Sequence, residues 1–282
     1  MKTPIHVIFF DAAETLFHVN GSVADIYLTY AVQHGFRQTP DSQASIAQAF
    51  QRAFRDAAPL VFAETDPIKL KRCERLWWFD VVHNVFYRVG MFERFDEFFE
   101  QVFQVFEDPR SWTLFPETHA VLTRLRKEGF ELGIVSNFDS RLFPVIRGLG
   151  IDRLFDTVTI SSMARSAKPA SKIFEVALEK HAVDPDEAVH VGDSLRDDVE
   201  GATKAGLTGG CPCGRQSERR CRGRHQGWAN RRVAGSCRAQ SGVGRLCDSD
   251  VGGASSARKM LKKSASRRRS LFGLFGLSHL FG

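Results

Sequence analysis

Two apolar runs in this chain end in aspartate. Phe9-Phe10-Asp11-Ala12-Ala13-Glu14-Thr15-Leu16 lies near the start, and Val191-Gly192-Asp193-Ser194-Leu195-Arg196-Asp197-Asp198 lies far downstream. If both runs are strands of one parallel sheet, their ends sit side by side and aim two carboxylates at one point. Such a pair suits a hard divalent cation such as Mg²⁺, and one carboxylate is then also able to attack a substrate.

The elements needed to bring the two aspartates together can be traced along the chain. Ile5–Phe10 reads as a buried strand. From about residue 22 to 110 the apolar residues recur at helical spacing, as in Val23, Ile26, Tyr27 and Tyr30, and no convincing strand interrupts them. Asp108-Pro109-Arg110 and Pro116 read as the hinge by which the chain returns. Strict alternation follows: helix His119–Glu128, strand Glu131–Ser136, helix Arg141–Leu149, strand Phe155–Ser161, helix Ser171–His181, strand Ala188–Gly192 and helix Asp197–Ala205. This order predicts an α/β fold with a Rossmann-like parallel sheet and an inserted α-helical cap. Its active site belongs at the carboxyl ends of the strands, where Asp11, Ser136 and Asp193 fall. The expected division is a core of residues 1–17 and 112–209, a cap of 18–111 and an irregular tail of 210–282.

Composition narrows the class. The 282 residues are 43% hydrophobic and 26% charged, as in ordinary globular proteins. No run approaches the ~20 apolar residues of a membrane span, and the start has no signal-peptide pattern. A cytoplasmic protein is expected. The formal net charge of +6 is misleading, because residues 211–282 carry 13 Arg and 3 Lys against Glu218, Asp248 and Asp250. That +13 leaves −7 for the other 210 residues. Cys73 is the body's single cysteine and five more lie in the tail, so the body fits a reducing compartment.

Four motifs in order, Asp11-Ala12-Ala13-Glu14-Thr15-Leu16, Ser136-Asn137, Lys168-Pro169 and Gly192-Asp193 with Asp198, resemble those of the haloacid dehalogenase-like (HAD) hydrolases over residues 5–208. Ser136–Leu142, Trp77-Trp78 and the unusual first motif resemble the subfamily IA branch around the rhythmically-expressed-gene-two protein and HAD-like hydrolase domain-containing protein three. The resemblance implies a Mg²⁺-dependent phosphatase of a small phosphorylated metabolite, with Asp11 as nucleophile and an aspartyl-phosphate intermediate. It implies that Mg²⁺ is held by Asp11, the Ala13 carbonyl and Asp193, with Asp198 supporting Asp193 or a metal-bound water. Ser136, with the N–H of Asn137, can then hold a phosphoryl oxygen, and Lys168 can neutralise it. Thr15 is expected to support the first loop by hydrogen bonding. Taken alone, Asp193 and Asp198 read better as helix caps, worth about 0.5–2 kcal/mol. Ser136 reads as a turn serine and Lys168 as a surface lysine. His6, His181 and His190 are expected to be non-catalytic, and Trp77 and Trp78 to be cap core.

Two departures stand out. Ala13 occupies the position where related phosphatases carry the aspartate that protonates the leaving oxygen, help worth ~10²–10⁴ in rate. Glu14 occupies a tight-turn position where glycine is common. Three alternatives therefore stay open: a metal-independent 2-haloacid dehalogenase, a phosphonoacetaldehyde hydrolase using Lys69 or Lys71, and a catalytically weak HAD-fold binding protein. After Gly206-Leu207 a further strand is due, yet the chain turns to Cys211-Pro212-Cys213 and an Arg/Gly/Ser/Cys-rich tail. A shifted reading frame in a GC-rich gene is preferred there over a basic nucleic-acid-binding arm, and it predicts an incomplete sheet edge. The tail's Cys/His spacing fits no standard zinc pattern. The expected partner is a small phosphorylated molecule, with no membrane; the oligomeric state is not legible.

Overall fold

The computed structural model describes residues 4–210. Every reading of residues 211–282, the basic arm and the shifted frame included, lies outside the described residues. In chain order the elements are β1 (Val7–Phe10), β2 (Phe17–Val19), α1 (Val23–Gln33), α2 (Ser42–Asp56), α3 (Pro67–Val89), α4 (Phe95–Val105), β3 (Trp112–Leu114), α5 (Thr118–Lys127), β4 (Glu131–Ser136), α6 (Leu142–Gly148), β5 (Thr157–Ile160), α7 (Ser161–Ala164), α8 (Ser171–His181), β6 (Ala188–Val191), α9 (Gly201–Lys204) and β7 (Thr208–Gly210).

Five strands form one parallel sheet in the order β5-β4-β1-β6-β7. The strands are short and apolar because both faces are covered. On one face Val7, Phe9 and Val135 pack with Ile173, Phe174 and Leu178 of α8. On the other, Ile8, Phe10, Leu132 and Ile134 join the large cluster that runs through α5, α6 and the helices α1–α4. Phe9 and Phe10 are fully buried; each contributes about 1.5–3 kcal/mol.

The helices of the 22–110 block begin and end as their sequence dictates. Asp66 accepts hydrogen bonds from the Ile68 and Lys69 N–H groups at 3.0 and 2.9 Å, with Pro67 at the first helical position of α3. Gly90, at φ 128°, ends that helix. Ser22 caps α1 through the Asp25 N–H. Phenylalanines at helical spacing then pack α3 on α4, as in Phe86 against Phe98 with ring centroids 4.9 Å apart.

Four local readings are corrected. The 108–116 hinge contains β3, which pairs antiparallel with β2, Val19 opposite Trp112; three-residue strands are too short for alternation to reveal them. The short helix α7 follows β5 directly. The expected helix from Asp197 begins earlier, as a π-helical turn over Leu195–Glu200 before α9. The strand due after Leu207 is present as β7, paired in parallel with β6 from Val189↔Thr208 to Val191↔Gly210. Among the described residues no helix is long and apolar enough to cross a membrane.

Candidate active site

The central strand places the first aspartate. Phe10 of β1 lies opposite Val191 of β6, and the Asp11 N–H donates to the Val191 carbonyl at 2.8 Å. Asp193 is therefore two residues past the level of Phe10 on the adjacent strand. On the other flank β4 ends at Ser136, which is buried. Carboxylate oxygens of Asp11, Asp193 and Asp198 lie within 4.8 Å of one another.

The π-helical turn accounts for Asp198. The Asp198 and Val199 N–H groups both donate to the Ser194 carbonyl, at 2.9 and 3.2 Å. This wider turn folds the Asp198 carboxylate back onto the Ser194 N–H at 2.9 Å, and such turns recur at functional sites. Gly192 is required by the same approach: a Cβ there would stand 2.1 Å from Asp198 Cγ. The Gly-Asp pair and the distant Asp198 are one packing unit.

Lys168 lies among the acids. Its Nζ is 2.8 Å from Asp11 Oδ1 and 2.5 Å from Asp198 Oδ1, and the side chain is almost wholly buried. Asn137 secures it: the Lys168 N–H donates to Asn137 Oδ1 at 2.7 Å, and Asn137 Nδ2 donates to the Lys168 carbonyl at 3.0 Å. The Asn137 side chain is thus engaged with the lysine's backbone, a positioning task. The Lys168–Pro169 peptide is cis.

Electrostatics follow from this crowding. Burial, reinforced by Asp198 and Asp193, pushes the Asp11 carboxyl up to about 7 against the pull of Lys168. Burial also works against the charged form of Asp198, but Lys168 and the His190 hydrogen bond outweigh it and hold the carboxyl below the usual range. Burial alone would lower Lys168; Asp11 and Asp198 outweigh it and hold the ammonium charged. Three carboxyl groups gather with one ammonium, so acidic groups outnumber basic ones there. Such a set of oxygen donors suits a hard divalent cation.

Several residues behave differently from expectation. Thr15 Oγ1 is buried without a hydrogen-bond partner, and only its backbone N–H serves the loop, through the Ala12 carbonyl. Glu14 takes φ 61°, the left-handed conformation. His190, read as structural, is fully buried with Nε2 2.8 Å from Asp198 Oδ1, so it helps orient that carboxylate. His181 is engaged by Glu131 and Thr157, and His6 lies near Glu187 at the surface. Lys69 and Lys71 are exposed on α3. Trp77 donates to the Ala58 carbonyl within the helical block, whereas Trp78 reaches out of it to Asp139 at 2.5 Å.

That last contact belongs to a group the sequence reading did not single out as functional. Glu74 of α3 accepts from the Ser140 N–H at 3.0 Å and from its hydroxyl at 2.5 Å. Arg141 pairs with Asp139 at 2.7 Å and lies over the Trp78 and Phe103 rings. The turn after Asn137 is therefore clamped to the helical block. The acid–base spacing of Asp139-Ser140-Arg141 was the available signal, but it resembles an ordinary surface pair.

Fold, acid cluster and buried lysine define a hydrolase of the HAD class. Residues 5–206 match the model of the haloacid dehalogenase-like hydrolase family, and the chain belongs to that family. HAD-like hydrolase domain-containing protein 3 of Mus musculus is 31% identical over 73% of this chain and 81% of its own length; the Bos taurus protein is 30% identical with the same coverage. Glyceraldehyde 3-phosphate phosphatase of Methanothermobacter thermautotrophicus is 36% identical over 33% of this chain and 42% of its own. Among solved structures, the HAD-hydrolase YfnB of Bacillus subtilis, bound to magnesium, aligns with TM-score 0.54 at 17% identity over 73% of this chain and 87% of its own. The L-2-haloacid dehalogenase RSc1362 aligns at TM-score 0.51 and 21% identity over 73% and 85%. These structures speak to fold alone.

Proposed function

We propose that this hydrolase is a Mg²⁺-dependent phosphatase of a small phosphorylated metabolite. The observation that carries the reading is the set of three carboxylates within 4.8 Å of one another, balanced by a single buried lysine. A dehalogenase acting without metal has no use for that surplus of carboxyl groups. Asp11, Asp193 and the Ala13 carbonyl would hold the cation, with Asp198 anchoring the arrangement through Ser194, Lys168 and His190. When bound, the cation would neutralise the phosphoryl group and let an anion approach it.

Asp11 then attacks phosphorus with one carboxylate oxygen. An O–P bond forms, the ester P–O bond breaks, and the leaving oxygen departs with the bonding pair. Ser136 and Lys168 hold the phosphoryl oxygens. Water hydrolyses the aspartyl-phosphate and regenerates the carboxylate. Ala13 offers no proton to the leaving oxygen, so solvent must supply it, and esters of acidic alcohols or phenols react fastest. The similarity to glyceraldehyde 3-phosphate phosphatase over a third of the chain supports a small phosphorylated substrate.

The test is phosphate release from an aryl phosphate with and without Mg²⁺, in the parent and in Asp11→Asn. Release that needs Mg²⁺ and vanishes in the variant is expected. Chloride release from a 2-haloacid without Mg²⁺ would reverse the assignment.

A further inference from the structure

The short turn that follows β4 is bonded to several elements at once. Asn137 holds the Lys168 backbone through both its N–H and its carbonyl. The Phe138 carbonyl accepts from the Ser161 hydroxyl at 3.3 Å and from the Ser162 N–H at 3.5 Å, at the start of α7. Asp139 accepts the Trp78 indole N–H, and Ser140 gives both its N–H and its hydroxyl to Glu74. Glu74 and Trp78 stand one helical turn apart on α3, so one face of that helix meets two successive residues of the turn. One end of the turn thus grips the lysine among the acids, and the other grips the helical block.

Packing alone does not call for an acid at position 74. Glu74 is 2% exposed, and burying a carboxyl group is costly unless it is hydrogen-bonded. An apolar side chain of similar volume would hold α3 in place at least as well. Apolar contact is non-directional, however, and leaves a helix free to shift over the turn. The two bonds to Ser140, at 3.0 and 2.5 Å, are directional and fix one alignment. The neighbouring contacts do not duplicate them. Asp139 is engaged within its own turn, with Arg141 Nε at 3.0 Å, Nη2 at 2.7 Å and the Arg141 N–H at 2.9 Å. Trp78 therefore reaches a side chain, whereas Glu74 takes hold of the main chain at Ser140. The bonds to the Phe138 carbonyl are the longer ones.

We infer that Glu74 is a positioning residue for the active site. By fixing the main chain at Ser140 it keeps Asn137 on the Lys168 backbone, and so keeps the Lys168 ammonium between Asp11 and Asp198. A residue of the helical block thereby governs chemistry that it does not touch. Its effect on turnover rests on the phosphatase reading; the link from Glu74 to Lys168 does not.

The Lys168 amide donates to Asn137 Oδ1 and so reports the link without turnover. Its hydrogen exchange is followed by NMR on the full chain, as a ratio to that of the Ile8 amide of β1, which tracks global opening. In Glu74→Ala the ratio should rise about tenfold or more, because the opening is local. Glu74→Gln, whose amide can accept from the Ser140 N–H and donate to its hydroxyl, should stay within about threefold of the parent. Ser140→Ala removes one of the two bonds and should fall between them; it decides the matter if Glu74→Ala does not fold. With Mg²⁺, kcat/KM for an aryl phosphate should drop about 10- to 100-fold in Glu74→Ala and recover in Glu74→Gln, since a misplacement of about 1 Å can cost about 10²-fold. Faster Lys168 exchange in the variants of a parent that hydrolyses no phosphate ester would sustain the link and remove the phosphatase. Lys168 exchange at the parent ratio in folded Glu74→Ala or in Ser140→Ala, an equal effect in Glu74→Gln, or unchanged kcat/KM where the parent is active would overturn the role of Glu74.

Discussion

Ala13 sits two residues past Asp11, and its methyl group has no proton to give a leaving oxygen. Restoring an acid there, as Ala13→Asp, should raise Mg²⁺-dependent kcat on an alkyl phosphate by ~10²–10⁴; an unchanged rate would mean that the proton comes from another protein group. Glu14, one residue on, holds φ 61°. The left-handed conformation costs a side-chain-bearing residue about 1–2 kcal/mol, and glycine's extra freedom when unfolded returns about 0.4–1 kcal/mol. Glu14→Gly should therefore stabilise the fold by roughly 0.5–1 kcal/mol, seen as a higher urea midpoint at constant slope. No rise would mean that Glu14 makes compensating contacts. Both positions were legible in the sequence as departures, because each concerns a local property: a missing acid and a strained backbone. Thr15 was not, since its burial without a partner depends on what packs over it.

At the level of elements, the contact between α3 and the turn after β4 carries its own pH signature. Burial raises the Glu74 carboxyl above its ordinary 4.5, and the Ser140 hydroxyl only partly offsets this. The folded chain thus binds that proton more tightly than the unfolded chain. Stability is lost as pH climbs from about 4.5 towards the raised value, and is level above it. Glu74→Gln has no such loss, so its stability relative to the parent should grow over that window, as read by urea unfolding at successive pH values. Parallel curves would show that Glu74 is not the titrating group. The three-residue strands β2 and β3 and the π-helical turn escaped the sequence reading for a shared reason. Each is defined by partners distant in the chain and spans too few residues for periodicity to show.

For the whole molecule, the proposed cation site would couple folding to cation binding in one equilibrium. At 100 times its Kd, Mg²⁺ should stabilise the fold by about 2.7 kcal/mol, which for a chain of this size raises Tm by about 5–10 °C. Asp193→Asn should abolish most of that shift. An equal shift in the variant would place the cation elsewhere.

The alternation of the longer strands and helices, the apolar runs that end in Asp11 and Asp193, and the family they signal were present in the sequence, because hydrophobic period and motif order are properties of the linear chain. Tertiary structure alone decided that Lys168 binds two of the acids, that Asn137 serves the lysine's backbone, that His190 reaches Asp198 and that Glu74 holds Ser140. Those facts depend on which side chains meet once strands far apart in the chain stand side by side, and on how much water their meeting excludes.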